Sequence, residues 1–201
     1  MKIDTIVFDL GGVLIDWNPK YLFRKIFETE SEVDHFLENV CKYEWNVEQD
    51  AGRSLADGTE YLVALHPDWE KEIRAYYGRW EEMLGGEIAE TVEILESLKY
   101  GGYRILALTN WSSETFPIAH QRYDFFKHIE GIVVSGDEKL AKPDPKIYQT
   151  LIKRYEVDPA KAVFIDDSAK NVEGAIAQGM HGIRFLSPMQ VREDLADLLN
   201  R

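Results

Sequence analysis

The sequence predicts an α/β protein: a parallel sheet covered by helices on both faces, with an all-helical insert after the first strand. Three observations carry this. The chain opens on an apolar, β-branched run, residues 3–8, that stops at Asp9, Leu10 and two glycines, as a buried strand does when it ends in a tight turn. Residues 17–85 then repeat apolar side chains at helical spacing. From residue 86 short apolar runs alternate with amphipathic segments, which implies parallel strands joined by crossover helices.

Within the insert, Asn18 suits an N-cap and Pro19 the first helical position, ahead of Leu22, Phe23, Ile26 and Phe27 on one face. Ser31 with Asp34 resembles a capping box before Val33, Phe36, Leu37 and Val40. After a break at Asp50-Ala51-Gly52-Arg53, Ser54 and Asp57 cap a helix that carries Tyr61, Leu62 and Leu65. Beyond the His66-Pro67-Asp68 turn, Trp69, Ile73, Tyr76, Trp80 and Met83 form one apolar face, and Gly85-Gly86 is expected to end it. A helix through Ile88, Val92, Leu95 and Leu98 then stops at Gly101-Gly102. Strands are predicted over 103–108, 131–134, 162–165 and 181–185. Helices fill the intervals: a short one up to Tyr123, then 145–155, one closed by Gly179, and 191–199 at the end.

A chain of 201 residues suffices for one well-filled core and a smaller second unit. The expected division is an α/β core of residues 1–16 and 86–201 with a helical cap of residues 17–85. Thirty-six acidic against 23 basic residues give a net charge of −13, so neither nucleic acid nor an anionic membrane is an expected partner. An anionic substrate would need local cations. The single cysteine, Cys41, excludes an intrachain disulfide and reads as a buried free thiol. The short apolar run after Lys2 is broken by Asp4 and Asp9, unlike a signal peptide. No apolar stretch approaches the ~20 residues that span a bilayer. The expected compartment is the cytoplasm; substrate and oligomeric state leave no signature.

In a parallel sheet the strand ends lie along one edge, where open α/β sheets place their ligands. That edge would collect Asp9, then Thr109 and Asn110, Lys142, and Asp166 with Asp167. One strand-end aspartate is equally a solvated turn residue. Three carboxylates, a hydroxyl and a lysine from four separated segments point instead to a site.

These segments, Phe8-Asp9-Leu10-Gly11-Gly12-Val13-Leu14, Leu108-Thr109-Asn110, Lys142-Pro143-Asp144-Pro145 and Phe164-Ile165-Asp166-Asp167-Ser168, resemble in order the four motifs of the haloacid dehalogenase-like hydrolases. The insert falls where that family carries its cap. The likeness is greatest to small-molecule phosphatases related to sugar-1-phosphate phosphatases and to the phosphatase domain of soluble epoxide hydrolase. It implies a Rossmann-like core and Mg²⁺-dependent hydrolysis of a small phosphorylated metabolite through an aspartyl-phosphate on Asp9. It also implies that Thr109 and the amide of Asn110 hold phosphoryl oxygens beside the Gly11-Gly12 loop, while Lys142 offsets charge. Mg²⁺ would take the Asp9 carboxylate, the Gly11 carbonyl and Asp167, with Asp166 as ligand or support. Ser168 and Asn171 would brace that loop.

One departure matters. Phosphatases of this family mostly carry a second aspartate two positions after the nucleophile, as general acid and then base, and Gly11 stands there. Either the leaving group needs no acid, or the cap supplies one, with Asp16, Glu48, Asp50 and His66 as candidates; the enzyme is otherwise a slow one. Gly11 is also a candidate for positive φ. Arg53 is a candidate grip for a second anionic group on the substrate, although as a residue type it reads more readily as solvated. Two other functions share these residues: a 2-haloacid dehalogenase, which uses the aspartate without Mg²⁺, and a phosphate-binding regulatory module. The acidic pair argues against the first and the long insert against the second.

Overall fold

In the computed structural model, which describes residues 2–200, the chain begins β1 (Thr5–Phe8), β2 (Ile15–Trp17), α1 (Lys20–Phe23), α2 (Glu30–Asn39), α3 (Tyr43–Asp50), α4 (Leu55–Leu65), α5 (Glu70–Gly78) and β3 (Leu84–Glu87). It continues α6 (Ala89–Tyr100), β4 (Arg104–Thr109), α7 (Phe116–Arg122), β5 (Gly131–Val134), α8 (Ser135–Glu138), α9 (Pro145–Arg154), β6 (Ala162–Asp166), α10 (Ala169–Ala177), β7 (His181–Arg184) and α11 (Pro188–Leu199).

Five strands pair in parallel in the order β5-β4-β1-β6-β7. All four residues of the central β1 are buried, because both faces are covered. Val7 joins Leu106, Leu108 and Phe164 under α9 and α10, which contribute Ile147, Tyr148, Leu151 and Ala175. Ile6 and Phe8 point the other way, into a cluster with Leu95 and Leu98 of α6 and Val191 and Leu195 of α11. This two-sided burial is why the first strand reads as a continuous apolar run rather than an alternating one. The second cluster runs on into the insert through Phe23, Phe36 and Tyr76, so the insert packs on the sheet. Cys41 is buried within it, and burial pushes its thiol far up, away from the reactive thiolate.

The insert departs from expectation at its ends. Residues 17–85 are not wholly helical: β2 and β3 pair as an antiparallel ribbon at its base, with a register shift between Asp16 and Trp17. The chain enters and leaves the insert side by side, and an extended pair satisfies the backbone groups of both crossings. Gly85 and Gly86 therefore sit in a strand rather than ending a helix. Gly85 is small for a packing reason, since a Cβ there would collide with the Asp16 carboxylate. The preceding helix instead stops at Gly78, before a 3₁₀ turn over Trp80–Met83. The capping box of α2 lies two residues before the expected one. Thr29 Oγ1 accepts from the Glu32 amide at 3.3 Å, and Glu32 Oε2 accepts from the Thr29 amide at 2.9 Å. Ser54 does cap α4, accepting from the Asp57 amide at 3.0 Å. Asn18 Oδ1 accepts from the Lys20 amide at 2.9 Å, although α1 is only four residues long.

Hydrogen bonds across the junction seat the insert over the carboxyl edge of the sheet. Ser135 Oγ donates to the Asp50 carbonyl at 2.5 Å, and the Leu55 amide donates to Glu114 Oε1 at 2.8 Å. Among the described residues no helix is long and apolar enough to cross a membrane.

Candidate active site

Lys142 organises the carboxyl edge of the sheet. Its ammonium lies 2.9 Å from Asp9 Oδ1 and donates to Asp166 Oδ2 at 2.7 Å and to the Leu108 carbonyl at 2.8 Å. A lysine has three N–H donors, and all three are committed, so this is a fixed charge. Burial alone would lower its pKa, but the Asp9 and Asp166 carboxylates hold it above the ordinary value. Burial pushes the Asp9 carboxyl up; Lys142 pulls against that, and Asp166 adds to it. Asp9 Oδ1 also accepts from the Leu10 amide at 2.7 Å, which fixes the carboxylate at the end of β1.

Asp166 is fully buried, and both its oxygens are engaged. Oδ1 accepts from the Ser168 main-chain amide at 2.8 Å, Oδ2 accepts from Lys142, and Asn171 Nδ2 lies 3.1 Å from each. Asp166 thus holds the lysine and the turn after β6, and Ser168 and Asn171 brace that turn through it. Asp167 is exposed on its solvent side while neighbouring atoms partly desolvate its carboxyl; that desolvation, then the charge of Asp166, raises its pKa. One carboxylate oxygen from each of Asp9, Asp166 and Asp167 lies within 4.8 Å of the others. Three carboxylates against one ammonium leave an excess of negative charge on hard oxygen donors, a set that suits a divalent cation such as Mg²⁺. The Thr109 hydroxyl, 1% exposed at the end of β4, has no hydrogen-bond partner among the described residues, so a buried donor is left for a ligand. Asn110 ties its loop to Lys142 in both directions: its Nδ2 donates to the Lys142 carbonyl at 3.0 Å, and its Oδ1 accepts from the Lys142 amide at 2.8 Å.

The two glycines of the first loop differ, and the expectation of positive φ falls on the wrong one. Gly12 has φ of +74°, and a Cβ there would stand 2.8 Å from Asp167 Oδ2. Gly11 has no positive φ, and its Cβ would meet nothing within 4 Å. Gly12→Ala is expected to cost at least about 1–2 kcal/mol from backbone strain alone, whereas Gly11→Ala should change stability by less than about 0.5 kcal/mol. Urea denaturation of the two variants checks this.

A cavity of about 310 Å³ opens from Asp9 and Asp167 toward the insert, between the sheet edge and α3. Asp50, the last residue of α3, lines it together with Asp9, Gly11, Asn110 and Asn171. Its carboxylate accepts from Asn46 Nδ2 at 2.9 Å and from the Ser112 amide, and burial pushes its pKa up to about 7. Of the four candidate acids, only Asp50 stands on this wall. Asp16 accepts from the Tyr21 hydroxyl at 2.6 Å at the base of the insert, and Glu48 and His66 are absent from the lining. Arg53 does not reach the cavity either. Its guanidinium donates to Gln49 Oε1 at 2.5 Å and the Trp45 carbonyl at 3.3 Å, over the Tyr61 ring. Trp80 and Trp111, edge to face at 5.7 Å, form part of the wall. The helical spacing of the sequence places Trp80 on an apolar face and gives no role to Trp111. The available signal was a tryptophan directly after Thr109-Asn110, too large for a turn without a purpose.

Fold and site together define a parallel α/β protein with a largely helical insert and an acidic pocket at the carboxyl edge of its sheet. Residues 3–179 match the haloacid dehalogenase-like hydrolase family, and the chain belongs to it. It is 25% identical over 194 residues to the sesquiterpene phosphatase astK of Aspergillus oryzae, covering 96% of this chain and 95% of that protein. It is 26% identical over 184 residues to a phosphorylated carbohydrates phosphatase of Thermotoga maritima, covering 90% and 84%. The magnesium complex of the HAD family enzyme bt-2542 from Bacteroides thetaiotaomicron shares the fold, with a TM-score of 0.73 and 21% identity over 92% of this chain and 94% of that one.

Proposed function

We propose that the protein is a Mg²⁺-dependent phosphatase that hydrolyses a small phosphorylated metabolite through a phosphorylated Asp9. The observation that carries this is the Lys142 ammonium fixed between Asp9 and Asp166, with Asp167 at the mouth of the same cavity. Two relatives matched over most of their length are phosphatases, which supports the reading. Phosphoryl transfer needs little covalent help beyond a nucleophile; positioning and charge neutralisation do most of the work.

In this reading Asp9 attacks phosphorus, and the bond to the leaving oxygen breaks. Lys142, the Thr109 hydroxyl and the main-chain amides of Asn110 and Gly11 hold the phosphoryl oxygens or offset their charge; the Gly12 amide is spent on the Ile15 carbonyl at 2.9 Å and shapes the loop instead. The Asp50 carboxyl gives its proton to the departing oxygen. The resulting Asp50 carboxylate then takes a proton from the water that attacks phosphorylated Asp9, which releases phosphate and restores both residues. Mg²⁺, held by Asp9, Asp167 and the Gly11 carbonyl, would supply a Lewis acid and offset the negative charge. Asp166 acts through Lys142 and Asn171 rather than as a ligand. A dehalogenase reading leaves the exposed Asp167 without a role, since displacing halide from carbon needs no cation.

The test is release of inorganic phosphate from a panel of phosphate monoesters, with expected loss of turnover on EDTA treatment. Asp167→Ala should abolish the rise in melting temperature that Mg²⁺ gives the wild type. Without metal, the same variant should melt no lower than wild type, because the substitution relieves repulsion with Asp166. Thermal melts with and without Mg²⁺ read both effects.

A further inference from the structure

Charge and wall chemistry of the cavity narrow the substrate. Among the described residues that line it there is no lysine, arginine or histidine, while three aspartates, Asp9, Asp50 and Asp167, do line it. The Lys142 ammonium is committed to Asp9, Asp166 and the Leu108 carbonyl. Arg53 is turned into the insert, against Gln49 and Trp45. A substrate's phosphoryl group would meet the metal, with the Lys142 charge fixed behind Asp9. A second anionic group on the leaving side would meet the Asp50 end of the cavity with no cation to pair it, in a chain of net charge −13. Desolvating a charge that finds no cation is strongly unfavourable, and this is a common way for a site to reject a wrong partner.

The walls are aromatic. Trp17, Tyr43, Tyr77, Trp80 and Trp111 contribute to the lining. The Tyr77 hydroxyl donates to Asn46 Oδ1 at 3.0 Å and accepts from Gln49 Nε2 at 2.9 Å, so its polar end is satisfied and its ring is held in place. Rigid aromatic walls with a few placed polar groups suit an apolar or ring-bearing ligand. The volume of about 310 Å³ holds the phosphoryl group together with a leaving group the size of a ring.

We infer that the substrate carries its only anionic group on phosphorus, and that its leaving alcohol is an uncharged, ring-sized group seated against the aromatic wall. This rests on the phosphatase reading and specifies its substrate class. It sets the enzyme against phosphorylated carboxylic acids and against esters with a second phosphate.

The test compares para-hydroxyethylphenyl phosphate with para-carboxymethylphenyl phosphate, which are similar in size and in leaving-group acidity and differ by one negative charge. The expected result is kcat/KM at least about tenfold higher for the uncharged ester, through KM. Cyclohexylmethyl phosphate should likewise exceed ethyl phosphate, since both are primary alkyl esters and only one reaches the wall. Equal or better turnover of the charged ester, or of ethyl phosphate, overturns the inference while leaving the phosphatase reading intact. If no monoester is turned over, the phosphatase reading fails. Calorimetric binding of benzylphosphonate against para-carboxybenzylphosphonate then decides the inference separately: preference for the uncharged phosphonate supports it, and equal binding, preference for the charged one or no binding of either overturns it.

Discussion

Asp9→Asn is expected to lower turnover by at least about 10⁴-fold and to leave the fold intact. Removing a nucleophile that acts as a unit with its neighbours costs effects of that order or more. The amide keeps the shape of the carboxylate and an acceptor for the Leu10 amide, but it cannot attack phosphorus. Stability should hold because Lys142 retains Asp166 and the Leu108 carbonyl, so no buried ammonium is left unpaired. Circular dichroism and a thermal melt establish the fold, and steady-state rates establish the loss. Retention of most activity in a folded variant would remove Asp9 from the chemistry.

The second large effect is expected at Asp50. Asp50→Asn should reduce kcat/KM for primary alkyl phosphates by about 10²–10⁴-fold, the usual contribution of a positioned general acid. For an aryl ester with an acidic phenol as leaving group, the loss should be far smaller, because that oxygen departs without a proton. A merely structural role for Asp50, which also accepts from the Ser112 amide and Asn46, would lower both rates alike. The pH dependence follows from burial, which raises the carboxyl from 3.8 to about 7. As the pH rises through about 7 the wild type loses its proton donor, and the alkyl-phosphate rate should fall on that limb; in Asp50→Asn the limb should disappear. Stability moves in the same sense. A carboxyl whose folded pKa is raised contributes most below its ordinary range, and that contribution is lost as the pH rises through the folded value. Asp50→Asn should therefore flatten the decline in melting temperature between about pH 4 and pH 7. Gly11→Asp placed in the Asp50→Asn background is expected to recover part of the alkyl-phosphate rate, since a side chain at Gly11 enters open space without a positive φ.

The α/β core was legible because its signals are local and repeated. Each apolar run ends in a polar residue, and parallel pairing brings those ends to one edge without further information. Asp9, Thr109, Lys142 and Asp166 could thus be placed together from sequence. The structure refines what each does: Asp166 holds Lys142 and Asn171, and Gly12 rather than Gly11 is the glycine the turn requires. The ribbon of β2 and β3 was not legible. Three or four residues with two adjacent glycines carry no strand period, and their pairing depends on a partner some 70 residues away. Nor was the choice of Asp50 among four candidate acids, which depends on how α3 docks through the Ser135 hydroxyl to the Asp50 carbonyl. The place of Trp80 in the wall was hidden for a related reason: an aromatic residue in a helical stripe reads as core until the tertiary structure leaves a cavity beside it.

The most direct measurement of the central claim is trapping of the covalent enzyme. Wild-type protein mixed with a slowly released phosphate monoester and Mg²⁺, quenched in acid within a turnover and mapped by peptide mass spectrometry, should carry one phosphoryl group on the peptide containing Asp9, and the Asp9→Asn protein should carry none. Turnover proceeding with no phosphorylated peptide at any quench time, or with the label on another residue, would contradict the account.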